Sequence, residues 1–448
     1  MNSGRDVVKD WWHRLRSNAS TSARLAALAS AIFCPRCLAA TWSARGDDEN
    51  GELVCQACRT GYPWRDRVLD LGAVKEEPGV TQEREGVRQT ERNAALGGIN
   101  DEFEDLSRAQ GVLKDAILAL PYGNDSRYYR EPGYFANVLA TVPAFDFLVT
   151  HLQLRSGERL LDLGADLTWS THQMARRGLE CFAVDINHHL SVGRLFEEHS
   201  GVSYQRVRAN MSDVPFRNGT FDVVLAMNAL HHAAHITPVA ANISRMLRRG
   251  GRLAFVEPYC ATEEAKAAFG RAQIAAGISE QTYLLDEWHH AFVDAGLRLR
   301  TLRVSDSFGA IYEKADAADR DVFGGFHAGR LSVRDAPSDV PGGAVFHVTI
   351  ALENRSNAVW TSVSQFPVHA SYHLSRRGTG GDVLQSFDNM RTPLPSEIGP
   401  GEEVILEVGV AAPSEPGEYV AEIDLVHESI SWFASKGFPS QRVSFLVT

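Results

Sequence analysis

A chain of 448 residues is too long for one compact core, and two or three domains are expected. Its 44% hydrophobic and 23% charged residues describe an ordinary soluble globular protein. A net charge of -11 argues against nucleic acid as the main partner, because gripping phosphate backbones needs the opposite sign.

No apolar run approaches the roughly 20 residues that cross a bilayer, so no membrane span is expected. The stretch "LAALASAIF" (25–33) is short, and no small-residue cleavage site precedes Cys34. Residues 1–30 therefore read as a soluble N-terminal helix, and a cytoplasmic location is expected.

Four of the six cysteines fall in 31–72 as two pairs, "CPRC" and "CQAC". Each pair places two thiolates on one tight knuckle, and 17 residues separate Cys37 from Cys55. That spacing suits two knuckles closing a tetrahedral zinc site through Cys34, Cys37, Cys55 and Cys58. Four thiolates leave no open position, so the expected zinc is structural. The stretch "LVCQACRTGYPWRDRVLDL" resembles small zinc-ribbon proteins that activate RNA and protein methyltransferases. Arg67 and Val68 stand where those proteins carry Gly-Ile.

Residues 73–129 are polar and mixed in charge over much of their length and read as a linker with a loosely held helical segment. From about 130 to 316, strand-like runs ("RLLDLG", "CFAVD", "VSYQRVRA", "FDVVLAMN", "RLAFVEP") alternate with helical patterns. Regular alternation predicts right-handed crossovers and a Rossmann-like, mostly parallel sheet of the α/β class. Ligands in such sheets bind at the C-terminal ends of the strands.

The polar residues at those ends form a pattern. Asp162 and Gly164 close the first strand. Asp185 closes the second, where a carboxylate can accept both hydroxyls of a ribose. Asn210 follows the third, and the fourth opens into Asn228, His231 and His232. This constellation, and "NMSDVPFRNGTFDVVLAMNALHH" above all, resembles the class I S-adenosylmethionine-dependent methyltransferases of the type 11 group. The resemblance implies S-adenosyl-L-methionine as cofactor, with Asp162, Gly164 and Asp166 in its loop. It further implies Asp185 on the ribose, Asn210 and Met211 beside the adenine, and Asn228 between cofactor and acceptor. A nicotinamide fingerprint fits less well, since only Gly164 of its three glycines is present.

The loop departs from the family pattern. Glycines are expected at 164, 166 and 168, and this chain has Gly164, Asp166 and Thr168. An Asp at the middle position adds bulk and negative charge unless its carboxylate points away or meets the cofactor's ammonium. Asp tolerates left-handed backbone, so the turn can survive. Thr168, at the helix start, is expected to cap free N–H groups.

His231, His232 and His235 invite a metal reading, but adjacent histidines in a loop seldom face one ion. His231 is instead expected to line the acceptor cleft and act as general base for a hydroxyl, with His232 packing or capping. Glu257 is an alternative base, or a solvated strand end. Trp288 and Phe292, four apart, read as core, and His289 and His290 as surface residues.

Past residue 328 the alternating runs "AVFHVTIALEN", "EEVILEVGVAA" and "GEYVAEIDLVHE", separated by Pro/Gly turns, predict an antiparallel β-sandwich over 330–448. This segment resembles an immunoglobulin-like domain appended to bacterial methyltransferases and glycosyltransferases of cell-surface polysaccharide. The resemblance implies a glycan or lipid-linked sugar as acceptor and envelope-biosynthesis enzymes as partners. Trp360, Trp432 and Phe433 would either stack on sugars or fill the sandwich core. The expected activity is O-methylation of such a sugar. The alternatives are a non-catalytic scaffold with a decayed cofactor loop and an RNA or protein methyltransferase.

Overall fold

A computed structural model describes residues 24–47, 49–71, 106–124, 128, 134–233, 235–276, 280–315 and 320–448. Most of the expected N-terminal helix and of the 73–129 linker lies outside these residues. The chain divides into two compact units, Met1–Arg298 with Ile311–Ala318, and Leu299–Ala310 with Asp319–Thr448.

The first unit opens with helix α1 (24–31) and four antiparallel ribbon strands. These are β1 (Trp42–Gly46), β2 (Asn50–Cys55), β3 (Gly61–Arg65) and β4 (Val68–Asp70). Helices α2 (Gly111–Leu118), α3 (Tyr134–Ala140) and α4 (Val142–His151) lead to the parallel strands. In chain order these run β5 (Arg159–Leu163), α5 (Trp169–Ala175), β6 (Glu180–Asp185), α6 (Gly193–Ser200) and β7 (Gln205–Arg208). Then come β8 (Phe221–Met227), α7 (Ile236–Met246) and β9 (Leu247–Glu257). Helices α8 (Glu263–Ala276) and α9 (Leu285–Asp294) follow. Strands β10 (Leu297–Val304) and β11 (Phe308–Lys314) carry the chain into the second unit and back.

Sequence pattern explains these elements. All seven residues of β8, "FDVVLAM", are buried, as a strand covered on both faces requires. In α7, Ile236, Val239, Ala240, Ile243 and Met246 recur at helical spacing and are all buried. Burial of each large side chain in that set stabilises by roughly 1.5–3 kcal/mol.

Strand β5 pairs in parallel with β6 on one side and β8 on the other, β6 continues to β7, and β8 to β9. The order reverses at β5, so the C-terminal ends of β5, β6 and β8 surround the switch-point crevice.

The ribbon is part of the same sheet. Its last strand, β4, pairs in parallel with β7 through Val68↔Arg206, Leu69↔Val207 and Asp70↔Arg208. The edge of β7, which would otherwise present unpaired backbone groups, is thereby covered. Arg67, at the position where the activator proteins carry Gly, takes up a left-handed φ of 61°. Its guanidinium meets Glu49 at 2.6 Å and Glu197 at 3.4 Å. Glu197 also holds the fully buried Arg206 at 3.2 Å and receives the N–H of Tyr204 at 3.1 Å. A second seam runs through Arg217, which donates to the carbonyls of Ala29, Ile32 and Ala40.

In the second unit, β12 (Gly329–Asp335), β14 (Val345–Asn354) and β18 (Glu403–Ala411) form one antiparallel sheet. The other sheet is built on β15 (Val368–Gly378), β19 (Gly417–His427) and β21 (Gln441–Val447), flanked by β16 (Gly381–Ser386). Short strands β13 (Asp339–Val340), β17 (Thr392–Pro393) and β20 (Ser431–Trp432) complete it. The Tyr372 hydroxyl of the second sheet accepts from the Ala411 N–H of the first at 2.8 Å, joining the two layers. Trp360 and Phe433 are fully buried and so fill the core, while Trp432 is half-buried beneath the Arg391 guanidinium.

Candidate functional site

The four paired cysteines converge. Sγ of Cys34 lies 3.6 Å from that of Cys58, and Sγ of Cys37 lies 3.6 Å from that of Cys55. All four sulfurs lie within 4.8 Å of one another, and none is in a disulfide. Zn–S bonds of about 2.3 Å in a tetrahedron would set sulfurs about 3.8 Å apart, so this donor set fits a metal ion with little adjustment.

The loop at the end of β5 is built around carboxylates. Asp162 is fully buried, and its Oδ2 accepts from Ser170 and Thr171 hydroxyls, each at 2.6 Å. Burial pushes its pKa up to about 6 against the pull of those two donors. Gly164 has a φ of 70°, and a Cβ there would lie 2.3 Å from the Cβ of Ala229. No side chain fits at that position.

Asp166 takes a left-handed φ of 39°, and its carboxylate turns to His189, whose Nδ1 lies 2.7 Å from Oδ1. Its backbone N–H donates to Oδ2 of Asp185 at 2.9 Å. Burial opposes ionisation of Asp166, but the charge and hydrogen bond of His189 outweigh it, aided by Tyr134. The carboxyl sits below its ordinary range. The charge introduced at the middle glycine position is therefore taken up by His189.

Thr168 does not cap the helix. It adopts a φ of 64°, makes no capping bond, and places Oγ1 2.8 Å from the hydroxyl of Tyr204. The left-handed backbone turns its side chain away from the free N–H groups of α5, so the expected cap is corrected to an internal strut.

Asp185 ends β6 half-buried, accepting the N–H of Asp166 and that of Asn187 at 2.8 Å. Burial first, then the neighbouring Asp166, raises it to about 6. Asn210 caps the short turn at Met211–Asp213 by accepting the Ser212 N–H at 2.9 Å. The methyl of Met211 lies 3.6 Å from the position a Gly164 Cβ would occupy. Asn228 is exposed at the end of β8 with a φ of 49°, its N–H bonded to Val256.

His231 and Glu257 form a dyad at the ends of β8 and β9. Nδ1 of His231 lies 2.7 Å from Oε2 of Glu257. Glu257 has no exposure and also accepts the backbone N–H groups of Ala229, Leu230 and His231. This corrects the reading of Glu257 as a solvated strand end: four donors enclose its carboxylate, one of them the His231 ring. A carboxylate at Nδ1 fixes the proton there and leaves Nε2 with the lone pair. The His232 ring lies tilted against that of His231 with centroids 4.1 Å apart, and His235 is exposed. His289 is corrected from surface to core. It is fully buried between strand and helix, with Nδ1 2.8 Å from the Tyr312 hydroxyl, beside the buried Trp288 and Phe292.

The fold and site thus bring Asp162, Gly164, Asp166, Asp185, Met211 and the Ala229–His231 turn to one crevice. A family described as "Methyltransferase domain" matches residues 161–255. The ubiquinone biosynthesis O-methyltransferase of Xanthomonas euvesicatoria pv. vesicatoria is 30% identical over 178 residues, covering 38% of this chain and 72% of that protein. The uncharacterized methyltransferase YcgJ of Bacillus subtilis is 23% identical over 141 residues, covering 31% of this chain and 54% of that one. The crystal structure of YcgJ covers 39% of this chain at 16% identity and a TM-score of 0.34. The chain belongs to the class I S-adenosylmethionine-dependent methyltransferases.

Proposed function

We propose that the protein transfers a methyl group from S-adenosyl-L-methionine to a hydroxyl of its acceptor. The observation that carries this reading is the His231–Glu257 dyad on the turn that packs against Gly164. It places an oriented base beside the loop that, in this family, holds the cofactor. The cofactor supplies a methyl group on a sulfonium. The chain's own residues hold and align it: Asp185 accepts from the ribose, Met211 and Asn210 flank the adenine, and Gly164 lets the backbone approach. Nε2 of His231 takes the acceptor's proton as its oxygen attacks, and the buried carboxylate of Glu257 stabilises the imidazolium. Alignment for an in-line displacement supplies much of the rate.

The acceptor in this reading is a sugar hydroxyl of a glycan or lipid-linked sugar. The sequence of 330–448, which resembles domains appended to bacterial methyltransferases and glycosyltransferases of cell-surface polysaccharide, motivates it, and envelope-biosynthesis enzymes are the corresponding partners. Oxygen as the methylated atom is further supported by the name of the Xanthomonas relative. The four-cysteine cluster is proposed to hold a structural Zn2+, supported by its sulfur spacing. Release of S-adenosylhomocysteine on incubation with lipid-linked and free oligosaccharides tests the whole reading. Turnover with none of these, alongside turnover with a phenol, would move the acceptor to another class.

A further inference from the structure

We infer that the turn carrying His231 holds a second, catalytic-type metal site, formed by His231, His232 and Glu280. One ligand atom from each of these three residues lies within 4.8 Å of the others, although Glu280 comes from a segment 48 residues beyond His232 in sequence. That segment is tied down: the N–H of Gln281 donates to the carbonyl of His231 at 3.0 Å, and the N–H of Cys260 donates to the Tyr283 carbonyl at 2.9 Å. The site is therefore assembled by the fold rather than by chance proximity of two mobile chains.

Its chemistry differs from the cysteine cluster in each respect that matters. Two imidazoles and one carboxylate suit a borderline divalent cation such as Zn2+, and three protein ligands leave at least one coordination position open. The second shell is already in place. Glu257 binds Nδ1 of His231 from a fully buried position, which leaves Nε2 as the ring nitrogen available to a metal. Metal-ligating histidines characteristically donate their other ring N–H to such a carboxylate. Coordination distances of about 2.0–2.2 Å require the three ligand atoms to close by an ångström or so, within reach of side-chain rotation at the half-buried His232 and Glu280.

The site lies on the same turn as Ala229, which packs against Gly164 at the end of β5. Its ligand class is a divalent transition-metal cation whose open position takes an oxygen of the acceptor. Because Nε2 of His231 cannot hold the cation and take the acceptor's proton together, the metal-bound state would hold an acceptor oxygen without the imidazole base, and transfer by that base requires the metal-free state. This last role rests on the methyltransferase reading. The existence of the site does not.

The test counts metal in the full chain. Wild-type protein and the variants His232→Gln and Glu280→Gln are dialysed against buffered Zn2+, and bound zinc per chain is measured by mass spectrometry. Parallel samples loaded with Co2+ report the four-cysteine site separately through its thiolate charge-transfer absorption. The expected result is one more equivalent of zinc in the wild type than in either variant, with the same thiolate band in all three. An equal count in wild type and variants, with that band intact, overturns the proposal. Wild type binding only the thiolate-held equivalent overturns it without reference to the variants. Binding of S-adenosylmethionine measured on the same samples keeps the two readings apart: its absence with the extra zinc present counts against the methyltransferase reading alone.

Discussion

Oδ1 of Asp166 lies 2.7 Å from Nδ1 of His189, so the loop position that glycine occupies elsewhere in this family is held here by a histidine–carboxylate pair. His189 is buried and Asp166 is 29% exposed, which leaves the pair only partly screened by water. The backbone beneath it is bonded to Asp185, so one residue links the loop, the second strand and the turn after it.

Asp166→Gly removes this brace without opening needed space, because the carboxylate already points away toward His189. Cofactor affinity should fall about 3- to 10-fold, the equivalent of losing roughly one partly exposed charged pair. Calorimetric titration of S-adenosylmethionine into both proteins measures it, and tighter binding by the variant would show the brace to be an obstruction.

Glu257→Gln should lower kcat by about 100-fold or more with little change in the cofactor Kd, since a neutral amide cannot stabilise a charged His231. His231→Ala should do the same. Parallel losses in kcat and cofactor affinity would instead mark the dyad as structural.

Cofactor binding should weaken as pH falls through about 6. Asp185 is raised to about 6 by burial and by Asp166, and only its ionised form accepts both ribose hydroxyls. The sign for folding is opposite. A carboxyl raised from 3.8 binds more protons in the folded chain, so Asp185 and Asp162 make the apo fold lose stability as pH rises from about 4 to about 6. Titrations between pH 5 and 8, repeated with Asp185→Asn, check the first effect, which should flatten in the variant.

Glu197→Ala should cost about 3–5 kcal/mol, because it leaves the fully buried Arg206 without its carboxylate. Arg67→Ala, which removes a guanidinium that is 24% exposed, should cost about 1 kcal/mol or less. Urea unfolding distinguishes them. Stripping metal from the cysteine cluster should lower the unfolding midpoint of the methyltransferase sheet as well, since β4 is its edge strand.

Much of this architecture was legible in sequence. The apolar runs ending in Asp162, Asp185 and Met227 are the strands that form the crevice, and the knuckle spacing located four cysteines that do converge. Sequence spacing carried no sign of pairings between distant segments. His189, Tyr204 and Tyr134 became partners of the loop only through folding of α6, β7 and α3 around it. Arg67 looked like a departure from the activator pattern and is the residue that ties the ribbon to Glu197. Thr168 misled because helix-cap rules assume an extended residue before the helix, and a left-handed one aims its hydroxyl elsewhere. Glu257 and Glu280 were obscured for one reason: a carboxylate's role depends on which turn the sheet brings beside it.

The loop with Asp166 and Thr168 in place of two glycines is expected to hold the cofactor. Calorimetric titration of S-adenosylmethionine into the wild-type chain tests it most directly. Saturable binding at one site per chain with micromolar affinity is the predicted result. Absence of binding by the wild type, with binding gained by Asp166→Gly, would contradict it and make the domain a scaffold whose cofactor site was lost at one residue.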